Sequence, residues 1–255
     1  MNCEKTKDAI VEFIKAKVSD SRTDGIVVGL SGGIDSTLVA HLSCEAVGKD
    51  RVFGIIMPSA TTPAQDSVHG IEVAQRLGIE YEEIAIDGIL NEYLSKTRLE
   101  ENNLAIGNLK ARIRMSIIYY YANAKNYLVS GTGNRSEILI GYFTKHGDGA
   151  CDMEPIGDLY KTEVFKLSRY MNVQNEIIEK PPRAGLWANQ TDEDEIGMGY
   201  DLLDKILYLY SEKDMKETEI AEKLEISVDN VNMIINKIIR SEHKSKVPEY
   251  PQKTI

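Results

Sequence analysis

The chain has 255 residues with ordinary globular composition, 42% hydrophobic and 27% charged, enough to bury a sizeable core in one large domain or two small ones. A formal net charge of -10 argues against a broad nucleic-acid-binding face, so any anionic ligand must be held locally by a loop, a helix N-terminus, a metal ion or a few placed cations. No apolar run of membrane-spanning length occurs, residues 1–8 carry charge and no signal-peptide core, and Cys3, Cys44 and Cys151 lack metal-like spacing and fit free thiols in a reducing cytoplasm, the expected location.

In chain order, residues 5–19 read as an amphipathic helix with Ala9, Ile10, Phe13, Ile14 and Val18 on one stripe. Gly25–Leu30 is a short β-branched run with the signature of a buried strand, and residues 34–47 form a helix. A strand over 51–57, a helix over 63–77 and a strand over 81–86 continue the alternation. Helices are predicted at 88–97 and 104–124, then a strand over 127–130. Alternating strands and helices predict a doubly wound, parallel α/β sheet with helices on both faces. Residues 141–158, rich in Gly, Asp and Lys, read as a loop, residues 159–171 as a helix, and residues 194–241 as about three helical segments. A single domain over 1–255 is expected, with an α/β core over about 1–180 and a helical C-terminal region over about 190–246.

The chemistry concentrates first at Gly29-Leu30-Ser31-Gly32-Gly33-Ile34-Asp35-Ser36. This stretch lies where the first strand ends and a helix begins, the place where open α/β sheets bind ligands. Adjacent glycines let backbone N–H groups turn toward an anion, and the first turn of the helix offers unpaired N–H groups at the positive end of its dipole. Ser31 and Ser36 add hydroxyls. Asp35 would repel phosphate unless a divalent cation stood between them, and magnesium suits that position. The loop lacks the Gly-Lys-Ser/Thr of a Walker motif.

Ser31-Gly32-Gly33-Ile34-Asp35-Ser36 resembles the PP-loop of the N-type ATP pyrophosphatases, enzymes that adenylate a carboxylate or carbonyl oxygen and release pyrophosphate. Further segments, in order along the chain, resemble the NAD synthetase family within that group. They are Asn108–Met115 with Ala111-Arg112-Ile113-Arg114, Gly131–Glu137, Tyr142–Asp152 with Thr144-Lys145-His146-Gly147-Asp148, Pro155–Thr162, and Lys180–Trp187. The resemblance implies an adenine nucleotide α-hydrolase-like fold, and a ligase that amidates deamido-NAD with ammonia through an adenylated nicotinate, releasing AMP and pyrophosphate. It implies that Gly29 to Ser36, Thr132 and Lys161 hold ATP, that Asp35 and Glu137 bind Mg2+, and that Arg112, Lys145, Asp152, His243 and Lys244 hold deamido-NAD. Asp35, Lys161 and Asp152 are the catalytic candidates, Asp152 as the acceptor of ammonium's proton. Arg183 stands where the family usually carries Ser or Thr, which leaves a backbone contact to ATP. The resemblance also implies a homodimer, and the Tyr119-Tyr120-Tyr121 run is a candidate interface. Free ammonia is expected as donor, because a glutamine-using relative needs an amidase domain and the chain begins about 25 residues before the loop.

Two alternatives belong beside this reading. One is another PP-loop synthetase, such as the GMP synthetase ATP-pyrophosphatase. The other is a nucleotide-sensing DNA-binding protein, since residues 216–240 have the pattern of a helix-turn-helix. Asp229 at the start of its second helix would repel a phosphate backbone.

Overall fold

The computed structural model describes residues 1–98, 102–183 and 191–251; Trp187, the end of the Lys180–Trp187 segment, lies outside them. In chain order the elements are α1 (Cys3–Ser21), β1 (Gly25–Gly29), α2 (Ile34–Val47), β2 (Val52–Ile56), α3 (Ala64–Leu77), β3 (Glu80–Glu83), α4 (Asp87–Ser95), α5 (Asn103–Lys125) and β4 (Tyr127–Ser130). They continue with α6 (Arg135–Ile140), α7 (Lys161–Tyr170), α8 (Asn175–Ile178), α9 (Asp192–Ile196), α10 (Tyr200–Ser211), α11 (Glu217–Leu224) and α12 (Val228–Ser245). Among the described residues no helix is long and apolar enough to cross a membrane.

The four strands form a parallel sheet in the order β3-β2-β1-β4. Alternate side chains of a strand face opposite sides of the sheet, and both sides are covered. Ile26 and Val28 of β1 pack with α1, α2, α3 and α7 in one apolar cluster. Val27, between them, packs with Phe53, Ile55, Ile113 of α5 and Leu90 of α4 in another. The sheet is therefore doubly wound, as the alternation predicts. Helix α2 has buried residues on nearly every side, the mark of a central helix.

β2 lies on one side of β1 and β4 on the other, so the strand order reverses at β1. In such sheets the crevice beyond the carboxyl end of the central strand is where ligands bind. Residues 30–33, between β1 and α2, occupy that place. The edge strand β3 is shorter than its apolar pattern predicts. Beyond it, Ile84 N–H still donates to Ile56 and Ile86 N–H to Pro58 as the chain leaves the sheet.

Among the described residues the helical region beyond α8 holds four helices, α9 to α12, rather than about three. It has its own apolar cluster, built on Leu203, Ile206, Leu207, Ile220, Val231 and Ile234, with Ile140 of α6 joined to it. Helix α6 falls in a stretch where no helix is expected. A capping box starts it: Asn134 Oδ1 accepts from Glu137 N–H, and Glu137 reaches back to Asn134 N–H.

Candidate active site

The loop after β1 is built to leave donors free. Gly33 is the N-cap of α2 and supplies no side-chain cap, so the first N–H groups of α2 await a partner. Gly32 has φ +70°, and an added Cβ would collide with the Asp66 carbonyl oxygen. Glycine is needed there for both reasons. Ser31 Oγ lies 3.0 Å from Ser36 Oγ and accepts from Gly33 N–H at 3.2 Å. These two hydroxyls bridge the loop.

Lys161, the first residue of α7, faces this loop. Its side chain is almost wholly buried. Its ammonium donates to Asp35 Oδ2 at 2.6 Å and to Glu137 Oε1 at 3.1 Å, over the Tyr200 ring. Asn134 Nδ2 donates to the other Asp35 oxygen at 3.0 Å. The start of α7 is fixed in turn: Lys161 N–H donates to Ser136 Oγ, while Asp204 of α10 accepts from Ser136 Oγ and Thr162 N–H. Asp192 sits nearby, 3% exposed, and accepts from the hydroxyls of Tyr142 and Tyr200.

Three carboxylates, Asp35, Glu137 and Asp192, therefore surround one ammonium. Burial opposes the charge on Lys161, but Asp35 and Glu137 outweigh it and hold the ammonium above its ordinary pKa. Burial raises the Glu137 carboxyl despite Lys161, with Asp35 and Asp192 adding to the rise. Burial raises Asp192 as well. Crowded buried carboxylates relieve their repulsion either by holding a proton or by meeting a further cation. Asp35 and Glu137 present oxygens from different elements to the Lys161 ammonium and both line the cavity described next, a donor type that suits a hard divalent ion. Among the described residues, the His/Cys/Asp/Glu group close enough to share one ion as it stands is His69, Glu72 and Glu176. Those three do not line the cavity described next.

A cavity of about 420 Å3 opens between the loop, the ends of β2 and β4, and α5. Its described lining includes the loop, Thr132, Glu137, Lys161, Arg183 and Lys244, and also Met57, Met115, Asp148 and Asp192. One end is polar and the wall from Ile55 to Pro58, with Met115 and Ile118, is apolar, the division that a nucleotide's phosphates and base require. Thr132 belongs to a segment cradled by Glu154, whose Oε2 accepts from Gly133 N–H at 3.0 Å. Arg183 turns its guanidinium onto Asp66 of α3 at 2.7 Å, not into the loop.

Of the other expected substrate residues, Arg112, Lys145 and His243 meet outside this lining, and Asp152 lies outside it on partners of its own. Arg112 donates to the Lys145 carbonyl, and Lys145 Nζ donates to the His243 carbonyl at 2.6 Å. Lys244 reaches back from the end of α12 to the carbonyls of Gly141 and Phe143. Asp152 has both oxygens engaged, one by Val129 N–H at 2.7 Å and one by the Tyr119 hydroxyl at 3.1 Å. Asp148, four residues earlier, faces the cavity and accepts from Thr144 N–H with one oxygen. It keeps accessible surface because it lines that space, while the crowded walls raise its carboxyl above the usual range.

Sequence reasoning left Asp148, Asp192 and Lys180 without a role. Asp148 and Lys180 lie inside motif segments, so position was the available signal. Asp192 opens α9 within a polar run, and nothing in that run marks it as buried.

The profile of the NAD synthase family matches residues 6–248. The NH(3)-dependent NAD(+) synthetase of Methanocaldococcus jannaschii is 49% identical over 253 residues, covering 98% of this chain and 97% of that protein. The chain belongs to the NAD synthase family. Among solved structures, the NMN synthetase of Francisella tularensis superposes with a TM-score of 0.89 at 34% identity, covering 99% of this chain and 100% of that one. The NH3-dependent NAD synthetase of Campylobacter jejuni, in complex with the nitrate ion, gives 0.85 at 33% identity with the same coverage. Family membership does not favour the GMP synthetase or DNA-binding readings. The α11–α12 pair has helix-turn-helix form, but Ile220, Val231 and Ile234 bury it against α10, and α12 ends by placing Lys244 in the lining of the cavity.

Proposed function

We propose that the chain is a C–N-forming ligase that converts deamido-NAD to NAD with ATP and ammonia. The observation that carries this reading is the meeting, in one cavity, of a glycine-rich loop with free helix N–H groups and the buried Lys161–Asp35–Glu137 cluster. A nicotinate carboxylate oxygen attacks the α-phosphorus of ATP, the bond to the bridging oxygen breaks, and pyrophosphate leaves. Charge builds on the phosphoryl oxygens, where the N–H groups of the loop and the Lys161 ammonium stabilise it. Ammonia's nitrogen then attacks the acyl carbon, the bond to AMP breaks, and the proton shed by nitrogen needs an acceptor.

Asp148 suits that last task better than Asp152, because it faces the cavity with a raised pKa, whereas both oxygens of Asp152 are engaged. We assign Asp152 a positioning role toward deamido-NAD, with Arg112, Lys145, His243 and Lys244. Asp35 and Glu137 would hold Mg2+, which supplies counter-charge to the phosphates. Arg183 meets ATP through its backbone, since its side chain is taken by Asp66.

We further propose one domain with a helical C-terminal part, acting as a homodimer. Arg112, Lys145, Asp152 and His243 lie outside the lining of the cavity, and Tyr120 on α5 is 71% exposed. A second copy on that face would complete the substrate site.

The test is product analysis with ATP, offering deamido-NAD with ammonium or with glutamine. AMP, pyrophosphate and NAD should form with ammonium and not with glutamine. The name of the Francisella tularensis neighbour makes nicotinate mononucleotide the competitor to offer in parallel. Preference for it would move the substrate assignment, and ADP as product would end the α–β cleavage reading.

A further inference from the structure

The loop over residues 29–36 is braced at its Gly32 carbonyl by residues that also line the cavity. Gly32, at φ +70°, directs its carbonyl toward Lys180, whose Nζ donates to it at 2.8 Å. In a trans peptide the carbonyl and the following N–H point opposite ways. Holding the Gly32 carbonyl on the Lys180 side therefore aims Gly33 N–H at the other side, where Ser31 Oγ now accepts it at 3.2 Å. Lys180 is itself held by Asp66 Oδ1 at 2.6 Å. Asp66 is 6% exposed, and the same oxygen takes Arg183. The backbone of Asp66 also occupies the space a side chain at position 32 would need.

We propose that Asp66 and Lys180 are positioning residues for ATP's phosphates, which fix the Gly32–Gly33 peptide plane so that its N–H faces the phosphate before ATP arrives. Such preorganisation spares the reorientation of a dipole during binding. Two of the three Lys180 donors go to Asp66 and the Gly32 carbonyl, so on this account its part is to hold the loop rather than to bind phosphate. The inference rests on the reading of residues 29–36 as the ATP phosphate site.

The test uses the full chain with Lys180→Met, Asp66→Asn, the double variant and Lys180→Arg, measuring kcat, both KM values and melting temperature. Each single loss should raise KM for ATP about tenfold, the order of one charge-assisted bond. The kcat at saturating ATP and KM for deamido-NAD should stay within about twofold, as for lost uniform binding. The double variant should be no worse than the worse single one, because the two residues act as one unit. Lys180→Arg, which keeps a charged donor, should retain the parent KM for ATP. If Lys180 met the phosphate directly, Asp66→Asn would release it and leave KM for ATP unchanged or lower, and that result overturns the proposal. A parallel loss of kcat, both KM values and melting temperature would show a merely structural pair and overturn it too. Failure of the parent protein to form AMP and pyrophosphate would instead remove the ATP reading beneath it.

Discussion

Lys161 Nζ lies 2.6 Å from Asp35 Oδ2, although the two residues are 126 positions apart in the chain. The contact joins the first residue of α7 to the first turn of α2, so two helix starts meet over one cavity. With Glu137 at 3.1 Å it sets a buried cation at the polar end of that cavity.

Lys161→Met should be inactive and less stable. Removing the ammonium leaves Asp35, Glu137 and Asp192 facing one another in a buried place, which costs on the order of 3 kcal/mol. Loss of a donor aimed at developing phosphoryl charge costs about a hundredfold or more in rate. Denaturant melts and pyrophosphate release measure the two effects separately. Added Mg2+ should restore part of the stability and little of the rate.

Gly32→Ala should lose ATP binding while the protein still folds. The substitution forces a left-handed φ on a residue with a Cβ and drives that Cβ into the Asp66 backbone. Calorimetric titration with ATP, beside a melt, checks this. ATP affinity equal to the parent's would mean that the loop shifts freely and its shape carries no function.

The sequence reveals the α/β frame well because β1, β2 and β4 are short apolar runs whose two faces are both buried. It marks out the loop over residues 29–36 because glycine, serine and aspartate requirements are local there. Helix α6 was hidden because its six residues are too few to show a period, although Asn134 and Glu137 form a capping box. The pairing of Asp66 with Lys180 was not legible, since an acid on one amphipathic helix and a lysine before two prolines carry no sign of each other. Arg183 shows the same limit: its position in a motif suggests ATP, and the fold turns its side chain to Asp66.

Asp148→Asn should lower kcat strongly, about a hundredfold for loss of a general base, and should leave adenylation intact. Pyrophosphate release without ammonium, compared with NAD formation when ammonium is present, separates the two half-reactions. Equal loss in both would place Asp148 in binding rather than in proton transfer.

Glu154 gives a pH prediction. Burial raises its carboxyl to about 7, above the value of an exposed glutamate, so the folded state binds a proton that the unfolded chain has released. Between about pH 4.5 and 7 its contribution to stability therefore falls as pH rises, and above that window it stays at its lower level. Glu154→Gln keeps an acceptor for Gly133 N–H and cannot ionise. Melting curves across pH 5 to 8 should show the parent losing stability relative to the variant as pH rises. A constant difference would contradict this.

We propose that nicotinate is adenylated in the cavity framed by Asp35 and Lys161. Deamido-NAD carrying an oxygen isotope in its carboxylate tests it most directly. If the carboxylate attacks the α-phosphorus, the AMP released with NAD carries one labelled oxygen and the pyrophosphate none. Unlabelled AMP, or label in phosphate with ADP as the co-product, would contradict the account.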